Sequence, residues 1–146
     1  MKTYAQRSLL YLVSEDWYFC SHRLPIARAA RDAGFTVHVA TRIGAHEERL
    51  RDEGFVVHPI NMRRGDARVW KEVPLLAGIG ALYRRIAPSL SHHVAMKPVV
   101  YGALAARLSP RTKVVNALAG LGYLFTSKDA QQSIPARVVR AVLPRL

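Results

Sequence analysis

The chain has 146 residues, of which half are apolar and 22% are charged. This length fits one domain with an adequate core, and the composition excludes a disordered chain. The single cysteine, Cys20, excludes an internal disulfide and a cysteine-based zinc site, which favours a reducing compartment. The N-terminal apolar run meets Glu15 and Asp16 too soon for a signal peptide, and uncharged stretches fall short of the roughly 20 residues that span a bilayer. We therefore expect a cytoplasmic protein that is soluble or lies on the inner face of the plasma membrane without crossing it.

Positive charge is concentrated in the second half of the chain. The net charge is +12, and residues 73–146 contain ten Lys and Arg residues with Asp129 as their sole acid. A cationic surface suits phosphates, nucleic acid or an anionic membrane surface. The chain lacks a recognition helix, an aromatic RNA-binding signature and any basic cluster of more than two residues, so we do not expect nucleic acid as a partner.

The first 60 residues predict alternating strands and helices. The apolar run at 8–13 is rich in strand formers and predicts a buried first strand, followed by a polar and aromatic loop. A helix is expected from Ser21, with Pro25 in its first turn and Gly34 as its stop. Alternating residues at 35–40 then predict a second strand.

A near repeat indicates that the same joint occurs twice. Residues 31–38 match residues 51–58, and each copy contains a glycine followed by phenylalanine and a β-branched residue. This pattern is typical of a helix end, a left-handed glycine and a strand start. His38 and His58 are accordingly interpreted as strand side chains beside the sheet rather than catalytic groups.

The remaining elements complete an α/β pattern. Apolar residues recur at helical spacing over 69–86, where Pro74 is expected to divide the helix into a short and a longer piece. A polar strand at 89–94, a helix at 99–108 and a strand at 113–117 follow. Five strands alternating with helices predict an α/β fold, a Rossmann-like parallel sheet with helices on both faces.

Polar residues near strand ends mark the expected site, because open parallel sheets hold ligands at the carboxyl ends of their strands. His92, His93, Lys97 and Asn116 fall there. Lys97 is interpreted as a phosphate or sugar ligand, or as a solvated loop lysine; Asn116 would bind a partner or anchor its own loop. The histidine spacing is not that of a metal site, and no serine has a nucleophile-elbow context, so neither metal ligands nor hydrolysis is expected.

Four segments carry a family resemblance: residues 16–19 (DWYF) with 21–25 (SHRLP), the helix–glycine–strand unit through Thr41, residues 92–102 (HHVAMKPVVYG), and 116–123 (NALAGLGY). Together they resemble the N-terminal half of family 4 retaining glycosyltransferases. The subgroup they are most similar to comprises bacterial enzymes that extend lipid-linked oligosaccharides for surface polysaccharide or glycoprotein assembly. The resemblance covers nearly all of the chain.

The resemblance implies one half of a two-domain GT-B enzyme, in which the first domain holds the acceptor and the second the nucleotide sugar. The paired-glutamate motif of the second domain is missing, since no two glutamates stand eight apart and none follows Glu72. Residues 1–132 would then form a Rossmann-like acceptor-side domain, and 133–146 a basic amphipathic segment before a donor-binding domain. The alternatives are a truncated, non-catalytic interaction domain and, less favoured, a basic nucleic-acid-binding domain.

The implied activity is hexosyl transfer from a nucleotide sugar to a lipid-linked or polysaccharide acceptor, without a cofactor. The basic C-terminal segment would rest on an anionic membrane surface or form a solvated basic face that packs on the second domain. The domain is expected to be inactive alone. Such a transfer needs a cation or dipole at the leaving diphosphate and groups that orient the acceptor hydroxyl. By resemblance the acceptor- or substrate-binding residues are Asp16, His22, Arg23, His93, Lys97, Asn116, Gly120, Gly122 and Tyr123.

Overall fold

The computed structural model describes residues 7–62 and 69–118. Strands and helices alternate along these residues as the sequence predicts. In chain order they are β1 (Ser8–Glu15), α1 (Asp16–His22), α2 (Leu24–Asp32), β2 (Thr36–Arg42), α3 (Glu47–Asp52), β3 (Val56–Pro59), α4 (Val69–Ile86), β4 (Leu90–Val94), α5 (Met96–Ala106) and β5 (Lys113–Ala117).

The five strands form one parallel sheet in the order β3-β2-β1-β4-β5. The chain moves outward from β1 to β3 and then returns to the other side of β1, so β1 pairs with both β2 and β4. A crevice forms where the strand order reverses, at the carboxyl ends of β1 and β4, and open α/β sheets bind ligands at such a point. The expected Rossmann-like α/β fold is confirmed.

The central strand β1 is buried on both faces, which explains why its sequence is a continuous apolar run. Its residues 9, 11 and 13 pack with α1, α2 and α3 in one core, and its residues 10 and 12 pack with α4 and α5 in another. Burying one such Leu or Val side chain contributes about 1.5–3 kcal/mol. Two helical layers therefore hold the sheet, one on each face.

The two glycine joints are confirmed. Gly34 has φ +88° and Gly54 has φ +77°, values that a residue without Cβ adopts at little cost. In each joint the phenylalanine N–H donates to a carbonyl five residues earlier, from Phe35 to Ala30 and from Phe55 to Leu50. This backbone bond ends the helix and directs the chain into the next strand.

Two local predictions are wrong. Helix α1 begins directly after β1, where a loop was expected, because Phe19 and Cys20 of the aromatic segment turn toward the core. Helix α4 also continues through Pro74 as one element. Proline at this position removes only the bond to the carbonyl of residue 70, one turn from the helix start, and the rest of the helix retains its bonds. Among the described helices, none is long and apolar enough to cross a membrane.

Candidate substrate-binding site

The carboxyl end of β4 contains a strained residue that sets the start of α5. Ala95 has φ +81° and ψ 169°, a region in which almost only glycine is found. Its N–H donates to the carbonyl of Ala117 at 3.0 Å, which ties the ends of β4 and β5 together. Strain of this kind costs on the order of 1–3 kcal/mol and concentrates at functional sites.

A polar cluster lies on the first turns of α5. The Lys97 ammonium pairs with the Glu72 carboxylate at 2.9 Å, and the Tyr101 hydroxyl donates to its other oxygen at 2.6 Å. Burial, together with Glu72, raises the pKa of Tyr101, so its phenol is a neutral donor. Lys97 and Glu72 retain 27% and 18% side-chain exposure, so both are accessible. We refer to these three residues as the Lys97 cluster.

Only Lys97 of this cluster was expected from the sequence. Helix α5 begins at Met96 rather than at residue 99, which places Lys97 and Tyr101 one turn apart on the same helix face. Glu72 reaches them from α4, 25 residues earlier in the chain. The i,i+4 spacing of Lys97 and Tyr101 was a usable signal once the helix start was known, whereas nothing in the sequence indicated Glu72.

The structure places His93 inside the protein, at 0% exposure. Its Nδ1 lies 2.7 Å from Asn116 Oδ1, and its Nε2 lies 2.5 Å from the Tyr83 hydroxyl and 3.0 Å from Ser91 Oγ. Because an amide oxygen only accepts, Nδ1 carries the proton and donates, and Nε2 accepts. Burial lowers the pKa of His93 to about 4 and raises that of Tyr83 to about 12, so both are neutral near pH 7. The amide oxygen of the exposed Asn116 therefore bonds to the buried His93 ring.

Gly102 makes room for the His93 ring. A Cβ at this position would lie 2.4 Å from His93 Nε2, closer than any non-bonded contact allows. Helix α5 can approach β4 only because residue 102 has no side chain.

The Asp16 carboxylate accepts three backbone hydrogen bonds at the end of β1. The residue is 2% exposed, and Oδ1 accepts from the N–H of Trp17 at 2.7 Å. Oδ2 accepts from the N–H groups of Gly44 and His46 at 2.7 and 3.0 Å. These bonds fix the loop between β2 and α3 against the start of α1.

His22 and Arg23 lie at the junction of α1 and α2, on the opposite face of the sheet from the Lys97 cluster. The exposed His22 ring stacks on Tyr18 with centroids 4.2 Å apart, and its Nδ1 bonds to Ser21 Oγ at 2.7 Å. Gly120, Gly122, Tyr123 and the boundary at 132 lie outside the described residues. The structure therefore brings His93 and Asn116 into one network and separates both from His22 and Arg23.

His38 and His58 are strand side chains beside the sheet, as interpreted from the repeat. His38 Nδ1 lies 3.0 Å from His58 Nε2 with the rings stacked, and Arg85 donates to His58 Nδ1 at 3.3 Å. Burial first, then His38 and Arg85, lower the pKa of His58 to about 4. The residues that the structure describes contain no group of three His, Cys, Asp or Glu side chains able to hold a metal ion.

The parallel five-stranded sheet with helices on both faces is a Rossmann-like α/β domain. The family model described as "Glycosyl transferase 4-like" matches residues 8–145. The chain belongs to this family. A comparison with curated protein sequences found no significant match.

Solved structures show the same fold. The chain is similar to a glycosyltransferase from Rickettsia africae ESF-5 (13% identity, TM-score 0.62, 77% of this chain and 30% of that one) and to CalG4, the calicheamicin glycosyltransferase (13%, 0.60, 94% and 42%). It is also similar to the C-terminal domain of a hydrogenase from Pyrococcus furiosus (15%, 0.56, 77% and 92%). At these identities the likeness shows the fold alone. The chain spans less than half the length of the two glycosyltransferases.

Proposed function

We propose that this chain is the acceptor-binding half of a glycosyltransferase that moves a hexose from a nucleotide sugar to a lipid-linked or polysaccharide acceptor. The observation that carries the proposal is the family match over residues 8–145 in a chain that spans less than half of two solved glycosyltransferases. A second, donor-binding half would supply the nucleotide site. The chain alone then binds the acceptor and transfers nothing.

The chemistry of the Lys97 cluster supports binding of sugar hydroxyls. A hydroxyl both donates and accepts, and the cluster offers the Lys97 ammonium as a donor beside the Tyr101 phenol oxygen and the Glu72 carboxylate as acceptors. Glu72 also offsets the charge of Lys97, which favours a neutral sugar ring over a bare diphosphate at this point. Adjacent hydroxyls on one ring would bind the ammonium and the carboxylate together.

Position and charge support the same role. The cluster lies at the carboxyl edge of the sheet, where a partner domain facing that edge would bring a donor sugar to the bound hydroxyl. The net charge of +12 favours an anionic membrane surface, where a lipid-linked acceptor is found. A non-catalytic interaction domain would share the fold but has no need of a hydroxyl-binding cluster.

Calorimetric titration of the purified chain tests the proposal. The probes are farnesyl-diphosphate-linked N-acetylglucosamine, as an acceptor, and UDP-N-acetylglucosamine. We expect the acceptor probe to bind at least about tenfold more tightly, and Lys97→Ala to weaken that binding about tenfold with an unchanged melting temperature. Lys113→Ala, which removes an exposed lysine from β5, is the matched control and should bind as the parent does.

Two outcomes contradict the proposal. One is absence of acceptor binding, or tighter binding of the nucleotide sugar. The other is equal binding by Lys97→Ala and Lys113→Ala, which would assign the interaction to overall charge.

A further inference from the structure

Two buried polar atoms on the α1–α2 side of the sheet lack partners. The Tyr11 hydroxyl, on a side chain with 0% exposure, and the buried Arg23 Nε have no hydrogen-bond partner within the described chain. Buried side-chain donors are normally satisfied, so each unsatisfied group requires an explanation. Here two of them come from neighbouring elements, β1 and the junction of α1 and α2.

These groups converge with His92. Tyr11 and His92 are opposite each other in the β1–β4 register, with ring centroids 5.2 Å apart. The pKa of Tyr11 is raised by burial, and the Arg23 charge opposes that rise; the pKa of His92 is lowered by burial and further by Arg23. The guanidinium is therefore an electrostatic neighbour of both rings.

Acids that pack against this layer are paired with other groups. Glu53 pairs with Arg28 and Arg31, and Glu15 pairs with Arg42. Asp16 accepts three backbone N–H bonds. Within the described residues no carboxylate pairs with Arg23, so this half-buried guanidinium, whose charge acts on the phenol and the imidazole, has no ion-pair partner there.

We propose that Arg23, Tyr11 and His92 form an anion-binding site that accepts a phosphate or carboxylate group. The guanidinium and the phenol would donate to its oxygens, and the imidazole would line its outer side. Access is from the β4–β5 side, where His92 is half-buried and its β5 neighbour Val115 is 47% exposed. The site lies on the opposite face of the sheet from the Lys97 cluster, and it does not depend on sugar transfer.

The test is a titration of the chain with inorganic phosphate, and separately with acetate, at constant ionic strength maintained with sodium chloride. Binding is followed by the NMR signal of the His92 ring Cε1–H, assigned with His92→Gln. We expect a saturable shift with at least one of the two anions; phosphate and acetate distinguish a phosphate site from a carboxylate site. Arg23→Gln should weaken binding at least about tenfold and Tyr11→Phe about threefold or more.

Arg107→Gln is the matched control, because it removes an equal charge from an exposed position and should bind as the parent does. Arg23→Lys keeps the charge but removes the Nε donor, so it also should weaken anion binding. If Arg23→Gln does not fold, Arg23→Lys and Tyr11→Phe together test the proposal. Lys97→Ala should bind phosphate normally, which separates this inference from the proposed function.

The proposal is overturned if neither anion gives a saturable shift. Equal losses in Arg23→Gln and Arg107→Gln, or parent-like binding by both Arg23→Lys and Tyr11→Phe, would also overturn it.

Discussion

His92 and His93 are adjacent on β4 but point to opposite faces of the sheet, and their surroundings differ. His93 is fully buried beneath α5, and both of its ring nitrogens have partners. His92 is half-buried beside Tyr11 and Arg23, which themselves have unsatisfied donors. A polar group with its bonds complete contributes to folding, whereas one left unsatisfied has bonding capacity for a ligand.

The same contrast holds for charged residues of the sequence-predicted site. Asp16 has three backbone donors on its carboxylate, while Arg23 has no acid beside it among the described residues. Residue type alone did not separate these cases. Substitutions at these positions measure the difference between satisfied and unsatisfied groups.

The largest expected effect on stability is at the contact between Gly102 and the His93 ring. Gly102→Ala places a methyl group 2.4 Å from Nε2, so the ring must move and its bonds to Tyr83 and Ser91 must break. We expect the free energy of unfolding in urea to fall by about 3 kcal/mol. Gly78→Ala in α4 meets nothing within 4 Å and should raise it by about 0.5–1 kcal/mol. A similar change in the two variants would contradict the packing described.

Replacing each histidine by leucine compares the two directly. His93→Leu leaves the Tyr83 and Ser91 hydroxyls without their nitrogen partner, and we expect a loss of about 2 kcal/mol in the free energy of unfolding. His92→Leu breaks no side-chain hydrogen bond between described residues, and its loss should stay under about 0.5 kcal/mol. Equal losses of stability in the two variants would contradict the distinction between the satisfied His93 and the unsatisfied surroundings of His92.

Asp16→Asn and Arg23→Gln extend the comparison to charged groups. The amide of asparagine presents one oxygen where the carboxylate presents two, so at least one backbone donor among Trp17, Gly44 and His46 loses its acceptor. We expect a loss of about 1.5 kcal/mol in thermal or urea unfolding. Arg23→Gln should change stability by less than about 0.5 kcal/mol. A destabilising Arg23→Gln would mean that the guanidinium is structural.

The smallest effect is in the pH dependence of stability. The pKa of His58 is lowered from 6.5 to about 4 by burial, by His38 and by the nearby Arg85 and Arg51. The unfolded chain then binds the proton more readily than the folded chain does. The contribution of neutral His58 to the free energy of unfolding is therefore complete above pH 6.5 and is lost as the pH falls toward 4. Since the pair is only half-buried, we expect His58→Gln to reduce this loss by about 1 kcal/mol. An unchanged pH profile in His58→Gln would contradict this assignment.

Local signals in the sequence predicted most of the fold. Strand formers, the two glycine joints and the alternation of strands and helices depend on neighbouring residues, and all five strands were found. The continuity of α4 follows from the position of Pro74 near the helix start, and the start of α5 follows the positive φ of Ala95, which residue type does not indicate. Local patterns therefore gave the bounds of α4 but divided it at Pro74, and they placed the start of α5 at residue 99 instead of Met96.

The candidate site was less predictable because its contacts are distant in sequence. Lys97 meets Glu72 across 25 residues, and His93 meets Asn116 across 23. Strand alternation shows that His92 and His93 face opposite ways, but only the packed helices show which ring is covered. The resemblance proposed Lys97 and Arg23 as candidates, but it did not indicate Glu72 and Tyr101 beside Lys97 or Tyr11 on the side of Arg23.

The most direct test of the central claim is a map of amide NMR shifts as the acceptor probe, farnesyl-diphosphate-linked N-acetylglucosamine, is added to the chain. An acceptor-binding half predicts that the largest shifts occur at the carboxyl edge of the sheet, around Lys97 and Tyr101, and that Ser8 and Thr36 at the opposite edge do not shift. Shifts centred on that opposite edge, or larger shifts with UDP-N-acetylglucosamine alone, would contradict it.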